Sequence, residues 1–199
     1  MKTHEFEFEK RAMLTFKQYR DLVSYIYKTF NPKNLYLYLV NEYFDTPDLT
    51  LLNKGCVLRV RQGLEATHIL TLKSPLADKS GDLETSQLLT IDEYTDFRLE
   101  AIFPDGPVKN KIKELNLPLN EIKYIAYLKC KRTEVQDGPC TIVLDENDYL
   151  GKIDHNIEVE GPSLEEAYKK ILELSLLFNF KIKDRYVSKS RRVLLNVKR

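Results

Sequence analysis

The chain has 199 residues, room for one domain with a substantial core and little for a second independent one. Lys and Arg total 31 against 30 Asp and Glu, and this formal net charge of +1 excludes a general electrostatic grip on nucleic acid or anionic lipid. No apolar leader opens the sequence and no apolar run reaches the length of a membrane span, so a cytoplasmic protein without a membrane partner is expected.

Cys56, Cys130 and Cys140 form no CxxC pair, and His4, His68 and His155 lie near none of them at zinc-ligand spacing. Free packed thiols are expected, and a thiolate or imidazole metal site is not.

Taken in chain order, Glu5 to Ala12 alternates strictly and predicts a strand; Thr15 to Phe30 carries Phe16, Leu22, Val23, Ile26 and Phe30 at helical spacing. Asn34 to Phe44 is rich in Leu, Tyr and Val and ends at the turn-forming Asp45-Thr46-Pro47-Asp48, with a short helix from Leu49 to Lys54. Strands follow at Cys56–Gln62, Thr67–Ser74 and Asp82–Ile91. Asp92 is read as the cap of a helix through Phe103, and Pro107 as the first turn of another ending near Leu115. Strand signals resume at Ile122–Val135, Thr141–Glu146 and Asn156–Glu160, with Asp137-Gly138 as a hairpin turn. Ser163 and Glu166 have capping-box spacing for a helix to Phe178, and Ser188 to Lys198 reads as a last helix. The class is α+β with a dominant antiparallel sheet, in a single domain over residues 1–199.

Residues of equal parity in a strand share a face. Sorted so, Glu7, Glu9 and Arg11 oppose Phe6 and Phe8, Arg59 and Arg61 oppose Leu58 and Val60, and Glu158 and Glu160 oppose Ile157 and Val159. Lys73 follows Ile69 and Thr71, Glu84 pairs with Ser86, and Asp145 sits opposite Ile142 and Leu144. An open sheet with one wet face also alternates, but such faces draw on Thr, Ser, Gln and Lys rather than doublets of acids and arginines. If the charged faces turn inward, each unpaired ion costs several kcal/mol, so the enclosure is hydrated or holds a ligand of both signs. A polyphosphate suits Arg and Lys, and a hard cation such as Mg²⁺ suits the carboxylates and bridges them to phosphate.

Five segments occur in one order: Glu7-Phe8-Glu9-Lys10-Arg11, Tyr43-Phe44-Asp45-Thr46-Pro47, Gly55-Cys56-Val57-Leu58-Arg59-Val60-Arg61, Thr71-Leu72-Lys73 and Ile157-Glu158-Val159-Glu160. This order resembles the CYTH-domain proteins, also called triphosphate tunnel metalloenzymes, and within them the bacterial YjbK-like branch. The resemblance spans nearly the whole chain. It implies a closed or nearly closed antiparallel eight-stranded β-barrel, a tunnel with a charged lumen and helices packed outside. It further implies Mg²⁺ or Mn²⁺ and a triphosphate-bearing small molecule: inorganic, thiamine or nucleoside triphosphate. Carried onto this sequence, Glu7, Glu9, Asp145, Glu158 and Glu160 take the metal. Arg59, Arg61, Lys73, Arg132, Lys189 and Glu84 form the substrate set, and Glu7, Glu9, Arg11, Arg59, Arg61 and Lys73 the catalytic one. Arg132 rests on the resemblance alone, since parity cannot choose among Lys129, Lys131 and Arg132 without the register. The family's first motif is ExExK, and its last position here is Arg11, which stays protonated and cannot act as a general base.

The expected function is metal-dependent hydrolysis of a terminal phosphoanhydride. A class IV-type adenylyl cyclase and a non-catalytic polyphosphate or nucleotide sensor are the alternatives. A homodimer is compatible with the sequence. The seven glycines form neither GxGxxG nor a Walker A loop, and Ser188-Lys189-Ser190-Arg191-Arg192 is too short a basic run to make a nucleic-acid partner.

Overall fold

Alternation becomes strand wherever the sequence shows it. The computed structural model describes residues 4–63, 67–76, 82–183 and 185–197, the side chains of 4–7 excepted. In chain order these are β1 (His4–Leu14), α1 (Phe16–Phe30), β2 (Leu37–Asp45), α2 (Thr50–Asn53), β3 (Val57–Gln62), β4 (His68–Pro75) and β5 (Asp82–Leu89). Then come α3 (Ile91–Glu100), α4 (Pro107–Glu114), β6 (Lys123–Asp137), β7 (Cys140–Tyr149), β8 (Lys152–Gly161), α5 (Leu164–Phe178) and α6 (Lys189–Leu194). The strands are hydrogen-bonded in the order β1-β5-β4-β3-β2-β6-β7-β8, and β8 pairs antiparallel with β1. The α+β class, the eight antiparallel strands and the helices on their apolar faces match the expectation.

The chain divides into two compact units: Met1–Phe6, Leu39–Leu128 and Ser188–Arg199 in the first, Glu7–Tyr38 and Lys129–Val187 in the second. In the first, Phe44, Leu58, Val60, Leu70 and Leu72 bury one sheet face against Phe97 of α3 and Val108 and Ile112 of α4. In the second, Ala12, Ile142, Leu144, Ile157 and Val159 do so against Leu22 and Ile26 of α1 and Ala167, Ile171 and Leu174 of α5. Full burial of each such Leu or Ile contributes about 1.5–3 kcal/mol. On β3, β4, β7 and β8 the apolar residues of one parity thus pack on helices, and the charged residues of the other parity are left on the opposite face.

Local chemistry sets the boundaries. Thr15 caps α1 in a reciprocal box with Gln18, and Asn31 ends it in the left-handed region. Thr90, not the expected Asp92, caps α3 by the same device with Glu93, and Ala101 at φ 55° ends that helix at Glu100, before Phe103. A hydroxyl three residues before a glutamate satisfies two amides at once, which outcompetes the lone aspartate. β7 and β8 run longer than expected because Leu150 and Gly151, at φ 49° and 72°, make a two-residue hairpin turn that carries no Asn-Gly signal. The Tyr43-to-Pro47 segment is a structural knot: the buried Asp45 carboxylate accepts the amides of Thr46, Leu51 and Leu52 at 2.7, 2.9 and 3.0 Å, fixing α2 to the end of β2.

Candidate active site

Each unit carries its own charged face. In the second unit the register sets Glu9 opposite Glu160 and Arg11 opposite Glu158 across β1 and β8. Cross-strand neighbours on one face lie about 4.5–5.5 Å apart at Cβ, which gathers the acids. One carboxylate oxygen from each of Glu9, Glu158 and Glu160 falls within 4.8 Å of the other two. Three oxygen donors so placed fit a hard divalent cation.

Two guanidiniums hold this group. Arg11 bridges Glu9 through its NH2 and Glu158 through Nε, the latter at 3.1 Å. Arg132 grips Asp145 with Nε on Oδ1 at 2.9 Å and NH2 on Oδ2 at 3.0 Å, and its NH2 lies 3.6 Å from Glu158. Burial alone would lower the pKa of both; Glu158 and Glu9 for Arg11, and Asp145 for Arg132, more than reverse that and hold both cations charged. Glu9, Asp145, Glu158 and Glu160 as carboxylates against Arg11 and Arg132 leave two negative charges, which one divalent cation balances.

In the first unit, Tyr43, Arg59, Thr71 and Ser86 stand in one cross-strand row over β2, β3, β4 and β5, and Asn41, Arg61 and Ile69 in the next. Val57, Lys73 and Glu84 make a third. Arg59 reaches Glu84 at 3.3 Å, Lys73 lies 3.7 Å from Glu84 and 3.6 Å from Asp82, and Arg61 Nε donates to Asn41 Oδ1 at 3.0 Å. The buried Arg59 Nε has no acceptor among the described residues. A buried donor without a partner is rare, and an anion's oxygen would satisfy it.

The structure therefore gathers Glu9, Arg11, Glu158 and Glu160 in one cluster, with Arg132 and Asp145 beside it, and Arg59, Arg61, Lys73 and Glu84 on one face. Asp145 is not in the three-carboxylate group: both its oxygens are committed to Arg132 and it is fully buried. Glu7 lies in β1, but its side chain is outside the described residues. Lys189 opens α6 in the first unit, half-buried. The register settles the basic run of β6: Arg132 takes the charged face, while Lys131 lies over the Tyr36 ring at 4.0 Å.

Sequence reasoning missed Asn41, although its parity with Tyr43 was a usable signal. It also missed Tyr186, whose ring lies under Arg11 with 5.7 Å from guanidinium to centroid. Nothing in the local pattern marks that residue. Tyr186, Arg11, Glu9, Lys10, Tyr168 and Lys183 border a cavity of about 350 Å³.

The chain is 34% identical over 174 residues to "Putative triphosphatase YjbK" of Bacillus subtilis (strain 168), covering 86% of this chain and 87% of that one. The crystal structure of "a putative adenylate cyclase" from Bacillus halodurans superposes with a TM-score of 0.86 at 29% identity, over 96% of this chain and 98% of that chain. The Hippeastrum protein HpAC1, described as a "putative adenylyl cyclase" with a dominant triphosphatase activity, shares the fold at a TM-score of 0.71 and 16% identity, over 96% and 99% of the two chains. The CYTH domain model matches residues 5–191, and the chain belongs to the CYTH domain family.

Proposed function

We propose that this protein hydrolyses a triphosphate-bearing small molecule with the help of Mg²⁺ or Mn²⁺. The observation that carries the reading is the three-carboxylate group of Glu9, Glu158 and Glu160, with its oxygens within 4.8 Å of one another. The similarity, at 34% identity, to the protein named "Putative triphosphatase YjbK" supports the same direction. When bound, a divalent cation would neutralise phosphate charge and lower the pKa of a coordinated water.

The residues of the chain do the rest. Glu9, Glu158 and Glu160 would hold the cation, and Arg132, fixed by Asp145, stands 3.6 Å from Glu158 as its positive partner. Arg59 and Arg61, spaced two apart on β3, offer planar forks to phosphate oxygens, and Lys73 adds a point charge. Phosphoryl transfer asks mainly for placement and charge stabilisation, which preformed cations on rigid strands provide. Arg11 remains protonated, so it contributes charge and not base catalysis.

The test is product analysis. Incubated with inorganic triphosphate or ATP and Mg²⁺ or Mn²⁺, the protein is expected to release orthophosphate, and Glu160→Gln to lose that activity. Cyclic AMP from ATP would assign it as a cyclase; saturable triphosphate binding without any product would make it a sensor. Undiminished phosphate release in excess EDTA would remove the cation from the mechanism.

A further inference from the structure

Arg11 stands on two of the three carboxylates that would hold a cation, hydrogen-bonded to Glu9 and ion-paired with Glu158. Its NH2 is on Glu9 and its Nε is 3.1 Å from Glu158 Oε1, so two members of the three-carboxylate group already hold a cation, supplied by the chain itself. A carboxylate oxygen in a charge-assisted hydrogen bond is a poor metal ligand until that bond is broken. The guanidinium is already at the outer limit of a cation–π contact and has room to close it. The Tyr186 ring lies 5.7 Å from it, and a cavity of about 350 Å³ opens beside both. Lys10 and Lys183 border the same cavity, and Lys10 sits over the other ring, Tyr168, at 5.8 Å. Their charge opposes Arg11 on the cavity side and so keeps it on the glutamates; a divalent cation on the glutamates would repel it toward the ring face.

We propose that Arg11 is an internal counter-ion exchanged for the divalent cation, and that Tyr186 is the positioning residue that receives the displaced guanidinium. This rests on the metal reading of the proposed function. No atom of Tyr186 need touch substrate or cation; it acts through Arg11 by setting how firmly the guanidinium competes for Glu9 and Glu158. Arginine suits the role better than lysine, because its fork spans two carboxylates and its flat face stacks on an aromatic ring.

Mn²⁺ titration followed by electron paramagnetic resonance, without substrate, tests the inference. Arg11→Gln is expected to tighten Mn²⁺ binding about tenfold or more, the scale of one charge-assisted hydrogen bond no longer competing. Arg11→Lys should fall between the two, which guards against a folding defect in the glutamine variant; circular dichroism checks both. Tyr186→Leu should weaken Mn²⁺ binding about two- to fivefold, the scale of one cation–π contact, and Tyr186→Phe should restore it. In the Arg11→Gln background, Tyr186→Leu should have no effect. Equal Mn²⁺ affinity in the wild type and Arg11→Gln, or weaker binding in the variant, overturns the exchange while leaving the metal site standing. A Tyr186→Leu effect that persists without Arg11 overturns the role given to Tyr186. Absence of saturable Mn²⁺ binding in both wild type and Arg11→Gln removes the metal reading and this inference together.

Discussion

Asp145 holds Arg132 by both carboxylate oxygens, at 2.9 and 3.0 Å, and is itself fully buried. Truncating one partner of a buried pair leaves the other ion unpaired, at a cost of about 3–5 kcal/mol. Asp145→Ala is therefore expected to lose that much in urea unfolding, since among the described residues Arg132 keeps Glu158 and Glu134, each at 3.6 Å. Its effect on Mn²⁺ affinity should be smaller than that of Glu160→Gln. A larger one would return Asp145 to the metal ligands.

Under the proposed hydrolysis, Arg59→Ala should lower kcat/KM by roughly 2–4 kcal/mol of transition-state stabilisation, the scale of one preorganised donor. The buried Nε without an acceptor argues that this side chain is shaped for a ligand and not for Glu84 alone. Arg59→Lys keeps the charge but not the fork and is expected to recover only part of the loss. Steady-state kinetics on triphosphate decide it: full activity in Arg59→Ala would take Arg59 out of the site.

Much of this was legible from parity. Glu9, Arg11, Arg59, Arg61, Glu158 and Glu160 were assigned to charged faces because strand geometry leaves no other choice once Leu58, Val60, Ile157 and Val159 are buried. Register was not legible. Arg132 could be separated from Lys131 only by its pairing with Asp145, and the same pairing turned Asp145 from an expected metal ligand into an arginine clamp. The β7–β8 turn was hidden because Leu150 adopts a left-handed conformation that sequence rules reserve for Gly, Asn and Asp. Tyr186 lies 175 positions from Arg11 in sequence, and no local periodicity reports a contact across such a distance.

The thiols should be inert in the folded protein. Cys56, Cys130 and Cys140 are free and buried, and burial raises the pKa of Cys56 and Cys140 above the ordinary thiol value. Reaction with a disulfide reagent requires thiolate and access; access is suppressed at all three, and thiolate at Cys56 and Cys140. At pH 8 the native protein is expected to show no fast-reacting thiol, and three in denaturant. A rapid first equivalent would mean that the segment around one of these cysteines opens on the timescale of the assay.

Asp45 gives the protein a titration of definite sign. Its carboxyl is raised above the ordinary 3.8, because burial outweighs the amides of Leu51, Leu52 and Thr46 that favour its ionised form. A native pKa above the unfolded one means that the folded state binds the extra proton. The associated stability is complete below pH 3.8 and is lost as pH rises through the native value. Asp45→Asn removes this titration while keeping one acceptor oxygen, leaving the Leu52 amide poorly matched at a cost of about 1–3 kcal/mol. The stability advantage of the wild type over Asp45→Asn should therefore be largest below pH 4 and narrow as pH rises toward neutrality. Urea unfolding of both proteins across that range isolates Asp45, since every other carboxylate is common to the pair. A gap that widens with pH would mean that the three amides win over burial, and that the α2 knot prefers its carboxylate charged.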